Sequence, residues 1–230
     1  MRLYNRLVIA FLCIFIISLL LNLAHNTSSN NKYEFPYKVE SIKRKNHDFY
    51  WVGQIHPDID GIASVIAAAH LYGGTPSRAG TTDAEVEFVL DYFDVEMPQL
   101  VENFHDALIG LVDVNQTTQI HQTIEPSSVK AIIDHHALGK NPVHTPDAVF
   151  IEVRPRTSTA VIIAEQFILA DKTIPKPIAG LLVSAILSTT DLLKSPMLTD
   201  KERRIADILA PIAGIKDLEV YGAKMQEAVQ

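Results

Sequence analysis

Val129-Lys130-Ala131-Ile132-Ile133-Asp134-His135-His136 is an apolar run that ends in one carboxylate and two imidazoles. A stretch this short and this aliphatic points to a buried strand. Asp-His-His at its carboxyl end offers the mixed oxygen and nitrogen donors that divalent metals take. A second run, over residues 49–55, leads into His56-Pro57-Asp58-Ile59-Asp60, again where a strand gives way to a helix. A third, over residues 107–112, ends in Asp113. Ligands of open α/β sheets gather beyond the carboxyl ends of the strands, so three strands ending in such residues point to one site. Two clusters of donors suggest a pair of metal ions.

The rest of the chain continues the alternation. Apolar periodicity predicts helices over residues 59–72 and 84–93, a strand over 149–153, then helices over 157–170, 177–188 and 199–213, with a last one from Leu218. Short strands followed by helices predict an α/β fold, a largely parallel sheet flanked by helices. Asp58 and Asp60 at the start of a helix also suit a capping role. His70, His105, His121 and His144 lack any comparable context and read as surface or packing residues.

Of the 230 residues, 47% are hydrophobic, enough for one domain with a full core. Net charge is −7 and the basic residues are scattered, apart from Lys43-Arg44-Lys45, which argues against duplex nucleic acid as a partner. The single cysteine, Cys13, excludes an intramolecular disulfide and a cysteine-based zinc site. It lies in residues 7–24, an almost unbroken apolar run behind Arg2 and Arg6 that is long enough to cross a bilayer once. The expectation is a transmembrane anchor over residues 1–24, a cleaved signal segment being the alternative. A polar linker over 25–48 would then hold the domain of 49–230 beside the membrane, on its outer side.

Mixed carboxylate and imidazole donors suit manganese, cobalt, iron or zinc better than calcium. A carboxylate such as Asp113 bridging two ions about 3.5–4 Å apart suits in-line attack on phosphorus and neutralisation of the leaving oxygen.

Pro57-Asp58-Ile59-Asp60 with Ser64, then Val112-Asp113, then Ile133-Asp134-His135-His136, resemble the Asp-His-His (DHH) phosphoesterase superfamily, and most nearly the family II, manganese-dependent inorganic pyrophosphatases. Glu87-Phe88-Val89-Leu90-Asp91-Tyr92-Phe93, Ser158-Thr159-Ala160, Ile178-Ala179-Gly180-Leu181-Leu182 and Leu193-Lys194-Ser195-Pro196 extend the resemblance over nearly all of 49–230. It implies hydrolysis of pyrophosphate, or of another small phosphate compound, with two Mn2+ ions, Co2+ or Mg2+ being the alternatives. Asp58 would bind the first ion, Asp60 and His135 the second, with Asp113 bridging both. His136 would touch the substrate phosphate and, with Asp113, make up the catalytic pair, while Asp134 would orient its neighbours from behind. A homodimer is a further candidate assembly.

Three departures stand out. The family places a ligand histidine at the position of Gln54; His56, the candidate replacement, lies about 6–7 Å further along an extended chain. A second bridging aspartate is replaced by Thr189. Asp191, the nearest carboxylate, would point to nearly the opposite side of a continuing helix. The chain stops at Gln230, where the family continues into a second domain that clamps pyrophosphate with basic residues. Val114 also replaces a family histidine. These departures predict an impaired or truncated hydrolase; a degenerate metal- or phosphate-binding domain and a phosphodiesterase of short nucleotides are the alternatives.

Overall fold

The computed structural model describes Val39 and residues 47–229. The anchor expected over 1–24, and the linker over 25–48 apart from Val39, His47 and Asp48, lie outside the described residues. Among the described residues no helix is long and apolar enough to cross a membrane.

Six strands, β1 (Phe49–Val52), β2 (Thr75–Arg78), β3 (Gln99–Leu100), β4 (Leu108–Val112), β5 (Val129–Asp134) and β6 (Phe150–Val153), form one sheet in the order β3-β2-β1-β4-β5-β6. Every pairing between them is parallel. The order runs outward in one direction from β1 and in the other from β4. The crevice between those two strands is therefore the topological switch point, where ligands of such sheets bind.

Helices α1 (Ile59–Tyr72), α2 (Ala84–Tyr92), α3 (Thr159–Leu169), α4 (Lys176–Thr189), α5 (Asp200–Ala213) and α6 (Leu218–Glu227), with one 3-10 turn at Pro126–Ser128, complete the described elements. All six contribute to the larger of two core clusters. The smaller cluster, with Phe104, Ile109, Leu111, Ile120, Ile124 and Ile132, draws on no helix and is covered by the irregular segment leading to β5. Strand β4 is buried along its whole length, which is why it reads as a continuous apolar run.

Gly110 sits at the centre of β4, in register with the fully buried Trp51 of β1. A Cβ added there would meet the Trp51 ring at 2.4 Å, so the glycine is required by close approach of an aromatic side chain. The indole Nε1 donates to the Gly73 carbonyl at 2.8 Å, fastening β1 to the end of α1.

The expected strands and helices are present with ends shifted by a few residues; β1 stops at Val52 and not at Ile55. Strands β2 and β3 were not expected. Pro76 in β2 has no N–H to give a ladder, but Ser77 Oγ donates to the Trp51 carbonyl at 2.9 Å and ties the two strands beside it. Helix α4 ends at Thr189, and the chain does not continue helically through Asp191. Asp191, Leu192 and Leu193 instead take φ of +47°, +54° and +64°, three left-handed residues in succession.

Candidate metal and phosphate site

The site is built at the carboxyl ends of β1, β4 and β5 and closed by the amino end of α3. Asp58 is the N-cap of α1, its Oδ1 accepting from the Gly61 N–H at 3.0 Å. It is exposed, and its second oxygen is free for a ligand role, so capping and coordination do not compete. Asp60, in the first turn, is buried. Its two oxygens accept from the backbone N–H groups of Thr159 (2.8 Å) and Ala160 (2.9 Å), a carboxylate set on the positive end of α3.

Asp113 ends β4 in the left-handed region, φ +59°, which aspartate tolerates better than most residues. Its N–H still bonds Ile133, and Thr159 Oγ1 donates to its Oδ1 at 3.1 Å. Gly61 lies between Asp58 and Asp113. A Cβ there would stand 3.8 Å from Asp58 Oδ1 and 3.6 Å from Asp113 Oδ2, so the glycine leaves the space between the two carboxylates open.

His135 has its tautomer set by a distant carbonyl. Nδ1 lies 3.0 Å from the oxygen of Arg156, which can only accept, so Nδ1 carries a proton and, in the neutral ring that a metal ion takes, Nε2 has the lone pair. That free nitrogen lies 3.4 Å from Asp113 Oδ1 and 3.7 Å from Asp60 Oδ2. Metal bonds of about 2.0–2.2 Å put neighbouring ligand atoms about 3 Å apart, so these three donors fit one ion with little movement.

Asp134 is fully buried and collects donors. The N–H groups of His135 (2.8 Å) and His136 (3.2 Å), and His136 Nδ1 (2.8 Å), all bond its Oδ1, while Asn115 Nδ2 donates to its Oδ2. The hydrogen bond to Asp134 raises the His136 pKa to about 9, against some opposition from burial and with help from Asp113 and Asp60. His136 is therefore an imidazolium at neutral pH, half exposed, and suited to donate to a phosphate oxygen. An imidazolium has no lone pair for an ion. So although Asp113, His135 and His136 cluster within 4.8 Å, Asp60 is the better third donor.

The carboxylates are short of counter-charge. Burial, then repulsion from Asp113, raises Asp60 well above the usual carboxylate range; burial, then Asp58, raises Asp113 to about 7. A divalent cation would relieve both.

His56 and Asp191 are both exposed, His56 in the β1–α1 loop and Asp191 in the left-handed turn after α4. Three groups with clear roles were not singled out as site residues from the sequence: Asn115, the Thr159 hydroxyl and the Arg156 carbonyl. Asn115 follows Asp113 by two residues, and Thr159 opens a helix; those were the only local signals. The loop carrying Arg156 is held by buried Glu202 of α5, which caps its own helix through Thr199 and also accepts from Thr157 N–H (2.8 Å) and Oγ1 (3.2 Å).

Comparison with known proteins gives the family. The manganese-dependent inorganic pyrophosphatase of Methanocaldococcus jannaschii is 38% identical over 187 residues, covering 78% of this chain and 60% of the relative. That of Bacillus subtilis is 38% identical over 183 residues, covering 76% and 58%. The crystal structure of a Methanococcus jannaschii protein assigned to the family II inorganic pyrophosphatases superposes with a TM-score of 0.73 at 38% identity, over 78% of this chain and 61% of that one. The chain thus spans about three fifths of the length of these relatives. Residues 48–186, well over half of the chain and inclusive of every group in the cluster, match the DHH family N-terminal domain, and the chain belongs to the DHH family.

Proposed function

We propose that this chain is a metal-dependent phosphohydrolase acting on pyrophosphate or another small phosphate compound, with manganese as its ion. The observation that carries the proposal is the free Nε2 of His135, aimed at two buried carboxylates, beside a protonated His136. The names of the relatives, manganese-dependent inorganic pyrophosphatases, support the choice of ion and substrate. Bound manganese would supply Lewis-acid activation and neutralisation of charge on the transferring phosphoryl group. The chain's own residues do the rest. Asp60, Asp113 and His135 would hold the ion; the Arg156 carbonyl keeps His135 in the ligating tautomer.

His136 would donate from its outward nitrogen to a phosphate oxygen, binding substrate and steadying charge as the bond breaks. Asp134 fixes that ring and keeps it charged, and Asn115 fixes Asp134 in turn. The test is hydrolysis by the full chain with manganese, followed as phosphate release from pyrophosphate and separately as nucleoside monophosphate formed from a short dinucleotide. Release from pyrophosphate is expected. Cleavage of the dinucleotide with pyrophosphate spared would overturn the proposal in favour of a phosphodiesterase. Metal-dependent stabilisation without release from either would leave a binding domain.

A further inference from the structure

We infer that this chain holds a single divalent ion, between Asp60, Asp113 and His135, because the position beside Asp58 lacks the donors to hold a second. The inference rests on the metal-dependent reading above and concerns its stoichiometry. The position at Asp60 has two buried carboxylates and one imidazole, a donor set whose charge suits a divalent cation. The position at Asp58 retains Asp58 and a share of Asp113. One of the Asp58 oxygens is already engaged by the Gly61 N–H.

Gln54 and Thr189 stand where the resemblance calls for a histidine and a bridging aspartate. The Gln54 amide is neutral and a weak donor to a hard cation. The Thr189 hydroxyl turns back on its own helix, donating to the Ala185 carbonyl at 2.9 Å. Two carboxylates' worth of binding has become less than one and a half, and affinity for such ions follows the count of charged ligands.

The residues best placed in sequence to compensate lie on backbone that is fixed by other contacts. Ile55, next to His56, donates its N–H to the Gln119 carbonyl at 2.9 Å. Its own carbonyl lies 2.0 Å from where a Cβ on Gly80 would be. The β1–α1 loop is thus pinned on both sides of its backbone, with His56 facing solvent. Asp191 opens the left-handed turn, and that turn is over-determined. Leu192 N–H bonds the Leu187 carbonyl (2.8 Å), Leu193 N–H bonds Thr190 Oγ1 (3.1 Å), and Lys194 and Ser195 both return to the Thr190 carbonyl (3.0 and 2.9 Å). The Leu192 side chain also fills the space above Gly222. Left-handed residues cost about 1–2 kcal/mol each, so a turn of three persists only where such contacts fix it, and it leaves Asp191 exposed. Glu85, another carboxylate near Asp58, accepts from Ser188 Oγ at 2.7 Å and is engaged with α4.

Manganese titrated into the full chain, followed by calorimetry and by electron paramagnetic resonance, tests the inference. Expected are one ion per chain and a spectrum without exchange coupling, with affinity lowered about 100-fold or more by His135→Ala. The double substitution Gln54→His with Thr189→Asp is expected to raise the count to two and to introduce coupling. Two coupled ions in the unsubstituted chain would overturn the inference, and this count decides even if the double variant does not fold. No bound ion would overturn both this inference and the metal-dependent reading. One bound ion with no release from pyrophosphate would overturn the activity alone and leave the stoichiometry standing.

Discussion

Replacing Asp134 by Asn tests how the site sets the charge of His136. The carboxylate is fully buried and takes four hydrogen bonds, from His135 N–H, His136 N–H, His136 Nδ1 and Asn115 Nδ2. Asn keeps the shape but loses the charge and turns one acceptor into a donor, which must face either the Asn115 amide or the histidine side. Weakening these charge-assisted bonds and leaving one buried donor unpaired costs about 3–5 kcal/mol, or about 6–20 °C in melting temperature for a chain of this size. Below that temperature the informative readout is His136 itself. In the metal-free protein its pKa of about 9 is due first to Asp134, and removal of that charge returns it toward the ordinary value of about 6.5. At pH 7.5 the imidazolium fraction then falls about tenfold. If the imidazolium is the form that binds, apparent phosphate affinity falls by the same factor, and it recovers at pH 5.5, where both proteins are protonated. Imidazole proton resonances followed against pH, with phosphate titrations at pH 5.5 and 7.5, measure both quantities. A His136 midpoint that stays within about half a unit of the unsubstituted protein would refute the assignment of Asp134 as its controlling partner.

Other outcomes follow from the same geometry. His136 carries a raised pKa, so its contribution to stability is complete below about pH 6.5 and lost as pH rises through about 9. Asp113 is raised to about 7, so its contribution is complete below about pH 3.8 and lost as pH rises through about 7. Scanning calorimetry of the metal-free chain should therefore show stability declining across both windows. Manganese at one fixed concentration, a hundredfold above its dissociation constant at pH 7.5, should stabilise the chain by about 2.7 kcal/mol there and by less at pH 5, where Asp113 is protonated; equal shifts at both pH values would contradict the charge-starved site. Gly110→Ala forces a methyl into the Trp51 ring and should cost about 1–3 kcal/mol in denaturant titrations, whereas a change under about 0.5 kcal/mol would show that the ring yields freely.

Much of this was legible in the chain because it is local. Helix α1 has the bounds its sequence announces, since Asp58 caps its start and Gly73 stops its end. Strand β4 is buried on both faces and so reads as an unbroken apolar run, and β5 does so but for Lys130 and its terminal Asp134. Strands β2 and β3 were not legible: Thr75–Arg78 contains a proline, and Gln99–Leu100 is too short to show a period. Their extended state comes from pairing with neighbours. The convergence of Asp60, Asp113, His135 and His136 could be anticipated from equivalent strand ends. Their chemistry could not, because the tautomer of His135 depends on a carbonyl 21 residues away and the charge on Asp60 is met by helix α3, 99 residues on. The turn at Asp191 was hidden for a different reason. Nothing in Thr-Asp-Leu-Leu announces three left-handed residues, which are held by backbone bonds to Leu187 and Thr190 and by the packing of Leu192 over Gly222.

Phosphate release from pyrophosphate by the full chain with manganese, measured beside Asp113→Ala, is the most direct trial of the metal-dependent site. Asp113 stands among its groups, 3.4 Å from His135 Nε2, 3.8 Å from His136 Nδ1 and bonded by Thr159. Release that requires manganese and falls by at least about a hundredfold in the variant is the expected result. Release that is unchanged in the variant, or that proceeds equally in the presence of a chelator, would contradict it.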